Sequence, residues 1–148
     1  MEYLIFIIII VVVGGVIGGL MGPIIESIDE RKAKKAGTIS NLSGYIEINS
    51  FYTKVVGVTY GNIQNILPQL QIETPLAFFR EPNNAYDKNA IRVECNGNNI
   101  GHLSADISSE LSPIIDRGGI VTGQIESITG GGGKSYGCNI SIKVYEKQ

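Results

Sequence analysis

The sequence predicts a mainly β chain, a small β-barrel or strongly curved sheet with one or two short helices, behind an N-terminal transmembrane α-helix. Three observations carry that expectation. Residues 3–25, YLIFIIIIVVVGGVIGGLMGPII, hold no charged side chain, and about 20 apolar residues are enough for a helix to cross a bilayer. Between residues 51 and 145, short runs rich in β-branched and aromatic residues alternate with Gly, Asn and Pro, the spacing of strands and turns. Only the stretch around 104–118 changes to helical spacing. The chain of 148 residues therefore divides into a membrane helix over 1–25, a charged and polar juxtamembrane linker over 26–47, and one folded domain over 48–148.

The apolar segment reads as an uncleaved anchor. Only Glu2 precedes it and no small-residue cleavage site follows, so it lacks the basic start and cut site of a secretory signal. Ile and Val are poor helix formers in water, but in hydrocarbon a helix is the way for one segment to satisfy its own backbone. Arg31, Lys32, Lys34 and Lys35 lie just past the membrane exit and nothing basic lies before it. The positive-inside rule then places the N-terminus outside and the C-terminal domain in the cytoplasm. Two isolated cysteines, Cys95 and Cys138, fit a reducing compartment. The glycosylation patterns at Asn41 and Asn139 would go unused on that side. Gly14, Gly18 and Gly22, with Gly15 and Gly19, recur four apart, a spacing that lets two helices approach and form a homodimer within the bilayer.

Past the linker, FYTKVVGVTY (51–60) reads as a first strand. GNIQNILPQL holds one short helical turn, halted by Pro68. PLAFFR (75–80) reads as a strand, and AIRVEC (90–95) alternates with Ile91, Val93 and Cys95 on one face and Arg92 and Glu94 on the other. NGN at 96–98 is a hairpin signal that returns the chain into NIGHLS. Ser104 is then a candidate N-cap, with Ile107, Leu111 and Ile114 or Ile115 as an apolar stripe, Pro113 as a local break and Gly118 as the stop. IVTGQIESI and NISIKVY flank a Gly-rich turn as a closing hairpin.

Several chemistries are excluded. GGGGKS (130–135) lacks the first glycine of a phosphate-binding P-loop, because that place is Ile128, and a strand follows instead of a helix. One histidine, His102, and two distant cysteines give no zinc-ligand spacing. Nucleophilic catalysis lacks a paired base. The chain therefore reads as a binding protein, with no enzyme constellation and no cofactor.

The remaining signal is REPNNAYDKNAIRV (80–93). Its amides, Asp87 and Pro82 suit a turn that bonds its own backbone. Tyr86 beside Asp87 also offers an aromatic face for a base and a carboxylate for a sugar hydroxyl. KVVGVTY (54–60), this loop, NGNNIGHLS (96–104), the helix and the closing hairpin together resemble the HIRAN domain over about two-thirds of the chain. The resemblance implies an OB-like β-barrel with added helices. Family members fused to large fork-remodelling ATPases use the domain to capture the free 3′ end of single-stranded DNA.

Carried over residue by residue, the resemblance makes Tyr60 an aromatic that stacks on a terminal base. It makes Tyr86 a second aromatic at that nucleotide, and Asp87 the carboxylate that binds the 3′-hydroxyl. Asn83, Asn84 and Asn89 serve the loop itself, and, apart from the resemblance, Arg80, Lys88, Arg92 and Lys54 are the candidate phosphate partners. Two basic positions of DNA-binding members are replaced: Arg before the first aromatic is Thr59 here, and the Lys after GHL falls among Ser104, Ala105 and Asp106. Residues 48–148 carry eight Lys and Arg against nine Asp and Glu, with no basic stripe. Two functions from different classes follow: a reader of single-stranded nucleic-acid ends near a membrane, and a membrane-tethered protein-interaction module that keeps the fold without DNA binding.

Overall fold

The structure, a computed structural model, describes residues 42–148. The expected membrane span, its glycine spacing, the basic cluster at 31–35 and Asn41 lie outside the described residues. No helix among the described residues is long and apolar enough to cross a membrane.

Six strands form one antiparallel sheet. In chain order they are β1 (Tyr45–Lys54), β2 (Pro75–Arg80), β3 (Ile91–Cys95), β4 (Asn98–His102), β5 (Ile120–Gly131) and β6 (Lys134–Lys147). Helix α1 (Ile63–Ile66) follows β1 and α2 (Ala105–Asp116) follows β4. The spatial order is β1-β6-β5-β2-β3-β4. Strands β2 to β6 and α2 fall where the periodicity places them, and β3 shows the expected alternation, with Ile91, Val93 and Cys95 buried.

Strand β1 differs at both ends from the expected 51–60. It begins at Tyr45, inside the stretch read as linker, because the 14-residue β6 offers ladder partners as far as Lys147 opposite Tyr45. It stops at Lys54, and Gly57 then takes a φ of 72°, a left-handed conformation that ends extended pairing. Thr59 and Tyr60 consequently lie in a turn. Pro68 does not halt the short helix either. It sits in the first turn of a 3-10 segment, Leu67–Gln69, that continues α1 and buries Leu67 completely. At that position the missing N–H costs nothing. Pro113 sits inside α2 without ending it, since the buried face of Ser108, Leu111 and Ser112 holds the helix to Asp116. Ser104 caps through its backbone, its carbonyl accepting from Ser108 N at 2.8 Å, with no side-chain cap bond.

Two three-stranded halves meet at a narrow join, where Pro75 pairs with Gln124 and Leu76 with Gly123. A Cβ on Gly123 would lie 2.9 Å from the Phe78 ring, so the corner requires glycine. The sheet curls into a half-barrel around Leu67, Leu76, Val93, Ile100, Ile125, Ile140 and Ile142. Its seam is pinned just past β1, where Val56 N donates to His102 O at 2.8 Å and His102 N donates to Val56 O at 3.0 Å. Gly101, at φ 127°, permits that approach. A Cβ there would strike the Val56 carbonyl oxygen and lie 2.7 Å from Val55 Cγ1.

Candidate functional site

The loop between β2 and β3 is built almost entirely from its own polar groups. Glu81 N donates to Ala90 O at 2.9 Å and closes its base. Within it, Asn84 N donates to Glu81 O and Ala90 N to Asp87 O, both at 3.0 Å, making two successive turns. Asn84 joins them: its Oδ1 accepts from Tyr86 N at 3.0 Å and Asp87 N at 3.2 Å, while its Nδ2 donates to Glu81 Oε2 at 3.0 Å. Asn89 N donates to Asp87 Oδ1 at 2.8 Å. Asp87 Oδ2 receives no hydrogen bond among the described residues. The Tyr86 side chain is 100% exposed. Its ring therefore makes no burial contribution to the fold and stands free in solvent on a hydrogen-bonded loop.

Arg80 serves the loop from below. Its Nε and Nη2 donate to the two Asp116 oxygens at 3.0 Å each, and its Nη1 donates to Lys88 O at 3.1 Å and Ala90 O at 3.2 Å. With its side chain only 13% exposed, the guanidinium is a strut between the loop and the end of α2. Lys88 is exposed, and its ammonium has no salt-bridge partner among the described residues.

Tyr60 lies on a second loop, between Gly57 and Gly61, and is 75% exposed. Here no side chain of the turn itself bonds its backbone. Tyr60 N reaches Gly57 O at 3.3 Å, and the ring packs close over Gly57. The support comes from Gln64, just past the turn and anchored far along the chain: its Nε2 donates to Val58 O at 2.9 Å and to Tyr136 O at 3.0 Å, and its Oε1 accepts from Tyr136 N at 2.8 Å.

Glu81 connects the two loops. Its carboxylate accepts from Arg92 Nη1 at 2.8 Å and meets His102 Nε2 at 3.0 Å, and the His102 backbone is the partner of Val56 at the seam. A chain of bonds, Glu81 to the His102 ring and the His102 backbone to Val56, thus links the base of the Tyr86 loop to the residue just before the Tyr60 turn. Burial alone would raise the Glu81 carboxyl. The Asn84 and His102 hydrogen bonds and the charges of His102 and Arg92 outweigh it and hold the group below its ordinary value of 4.5. Arg92 also bonds Glu94 at 2.9 Å and lies 5.3 Å over the Phe79 ring. Sequence reasoning missed Glu81 as this hub. Its only signal was the acidic place in REP, and nothing local announces that His102, 21 residues on, closes the contact.

Thr59 and Ala105 are exposed, so the replaced basic positions leave no cation there, and the exposed Asp106 beside Ala105 is acidic. Cys95 and Cys138 are free and buried. Burial, then the neighbouring Cys95, pushes the Cys138 thiol up to about 12, and burial raises Cys95. No group of three or more potential metal ligands occurs among the described residues.

A family model for the HIRAN domain matches residues 48–147. The chain is 42% identical over 65 residues to the rabbit (Oryctolagus cuniculus) helicase-like transcription factor, a match covering 43% of this chain and 6% of that protein. It is 50% identical over 42 residues to the human protein of that name, covering 28% of this chain and 4% of that one. The chain thus spans a small fraction of these relatives. Among solved structures, the HIRAN domain of human HLTF superposes with a TM-score of 0.56 at 27% identity, over 73% of this chain and 84% of that one. A Lactobacillus plantarum protein shares the fold, with a TM-score of 0.55 at 19% identity over 69% of this chain and 96% of that one.

Proposed function

This chain belongs to the HIRAN domain family, and on that premise we propose that it binds nucleic acid, taking the free 3′ end of single-stranded DNA while residues 3–25 anchor it in a membrane. Its likeness to the HIRAN domain of human HLTF, together with the capture of DNA ends that the family resemblance implies, supports the reading. Tyr86 and Tyr60 stack on bases at the terminus, and the uncommitted Oδ2 of Asp87 accepts the 3′-hydroxyl. Lys88, next to Asp87 and without an ion-pair partner among the described residues, supplies a cation for phosphate, and Arg80 positions the loop without touching phosphate. The domain faces the cytoplasm in this reading, and the Gly14–Gly18 spacing pairs two anchors. The observation that carries the reading is the fully exposed Tyr86 beside Asp87, on a loop whose internal bonds are already made. Such a loop pays little ordering entropy when a ligand arrives.

Fluorescence anisotropy on the full chain in mild detergent at low salt tests it, with single strands ending in a 3′-hydroxyl or a 3′-phosphate. Hydroxyl-ended strands bind, phosphate-ended strands do not, and Asp87→Ala loses the distinction. Tyr86→Ala costs roughly 1–3 kcal/mol, the worth of one stacked base. Binding that ignores the end and Asp87 refutes end reading.

One observation favours the second reading, a membrane-tethered interaction module. Phosphate contacts dominate nucleic-acid affinity, yet Arg80 and Arg92 are both consumed by carboxylates. Absence of binding to any strand, with the fold intact, selects this alternative.

A further inference from the structure

The two edges of the sheet are managed differently. Strand β4 is five residues long, carries two asparagines, and is tied at its end to Val56. Strand β1 is ten residues long, contains no proline, and pairs on one side only, with β6. From Tyr45 to Lys54 its other edge has no partner among the described residues. Ile46, Ile48 and Tyr52 are exposed on it, Tyr52 at 79%. A long, proline-free edge with exposed apolar side chains, interrupted by only one bulge, is a template for another strand.

The side-chain order says which strand fits. Opposite β6, Ser50 pairs with Lys143 and Tyr52 with Ser141, and the irregularity between Glu47 and Asn49 sets Glu47 against Tyr145 with Ile48 as the extra residue. Antiparallel pairing of two β1 strands about a two-fold axis at Ser50 then places Tyr52 of each copy across from the Glu47–Ile48 bulge of the other. The same step carries Lys54 to a position diagonal to Glu47. Each copy thus supplies one aromatic to meet one β-branched side chain, and one cation to approach one anion, twice over. Glu47 already pairs with Lys143 of its own chain at 3.3 Å, an exposed pair that a second cation can join; Lys54 has no ion-pair partner among the described residues, and the small Ser50 leaves the axis unobstructed.

We propose that the outer edge of β1 is a self-association surface, on which a second copy of this chain adds its own β1 antiparallel about Ser50 to continue the sheet. This pairing rests on β1 alone and is independent of the glycines in the expected membrane segment and of nucleic-acid binding.

Disulfide trapping in the full chain tests it. Residues opposite one another in an antiparallel pair lie about 4.5 or 5.5 Å apart at Cα, within the roughly 4.4–6.8 Å that a disulfide spans. Native Cys95 and Cys138 are buried and give little background. Under diamide, Ser50→Cys is expected to form a dimer at least about tenfold faster than Glu110→Cys, an exposed position on α2, because pairing raises the local thiol concentration. Adding Ile48→Lys to Ser50→Cys should abolish the excess while leaving circular dichroism and the thermal midpoint unchanged. Equal rates at positions 50 and 110, as collision or a tether elsewhere would give, overturn the proposal. A Ser50→Cys rate indifferent to Ile48→Lys, or a cross-link to a different protein in place of a dimer, also overturns it.

Discussion

The two loops that present tyrosines to solvent are held by opposite means. The Glu81–Ala90 loop is made rigid by residues inside it: Asn84 alone accepts two backbone N–H bonds and donates a third bond to Glu81. The Gly57–Gly61 turn owns almost no internal support. It hangs from the Val56–His102 bridge on one side and from Gln64, bonded to residue 136, on the other. One loop is local chemistry, and the other is a product of the barrel closing. If both line one site, its halves should fail under different perturbations.

The largest effect is expected from Gly101→Ala. The new Cβ collides with the Val56 carbonyl at a positive-φ position, so the seam opens or the backbone shifts, at a cost of about 3 kcal/mol. Urea unfolding should show the loss. Amide exchange should accelerate first at residues 56–61, while the turns of the 81–90 loop keep protection until global unfolding. Simultaneous loss in both loops would show that they form one cooperative unit.

A crossed pair of substitutions sharpens the contrast. Asn84→Ala leaves the Tyr86 and Asp87 amides without their acceptor and should cost roughly 1–3 kcal/mol, with faster exchange confined to residues 84–89. Gln64→Ala removes three bonds of similar worth but should loosen residues 57–61 and the strand around Tyr136 instead. The double variant should be near additive, and strong coupling would point to Glu81 and His102 as a mechanical link.

The smallest effect is one of pH. The folded Glu81 carboxyl lies below its unfolded value of 4.5, so its stabilisation is complete above that pH and fades as pH falls through the lower folded value. Thermal midpoints of the wild-type chain should therefore drop below about pH 4.5. Glu81→Gln should start lower at neutral pH and flatten that part of the profile. An unchanged slope would assign the acid sensitivity to other carboxylates.

Much of this architecture was legible residue by residue. Period-two alternation placed β3 with its buried Ile91, Val93 and Cys95, since a strand's faces are fixed by its own order. Asn96–Gly97 placed the hairpin, both residues taking positive φ. The Pro, Asn and Asp pattern announced a self-bonded loop at 81–89, and the isolated Tyr86 inside it marked the candidate site. The short-range chemistry of these residues needs no distant partner to act.

What the sequence left open belongs to long-range pairing. Nothing near Tyr45 shows that the strand starts there, because its partners lie about a hundred residues away in β6. Nothing near Tyr60 shows that Gln64 is itself held by Tyr136, 72 residues on, and Arg80 reads equally well as a phosphate ligand until Asp116 is found 36 residues on. Sequence by itself determined where the chain alternates, bends and exposes an aromatic, because those properties follow from neighbouring side chains. Only the tertiary structure decided where strands end, which cations are already spent, and that Glu81 bonds His102 at the seam. Each of those depends on which distant groups the closing sheet brings within about 3 Å, hydrogen-bonding distance.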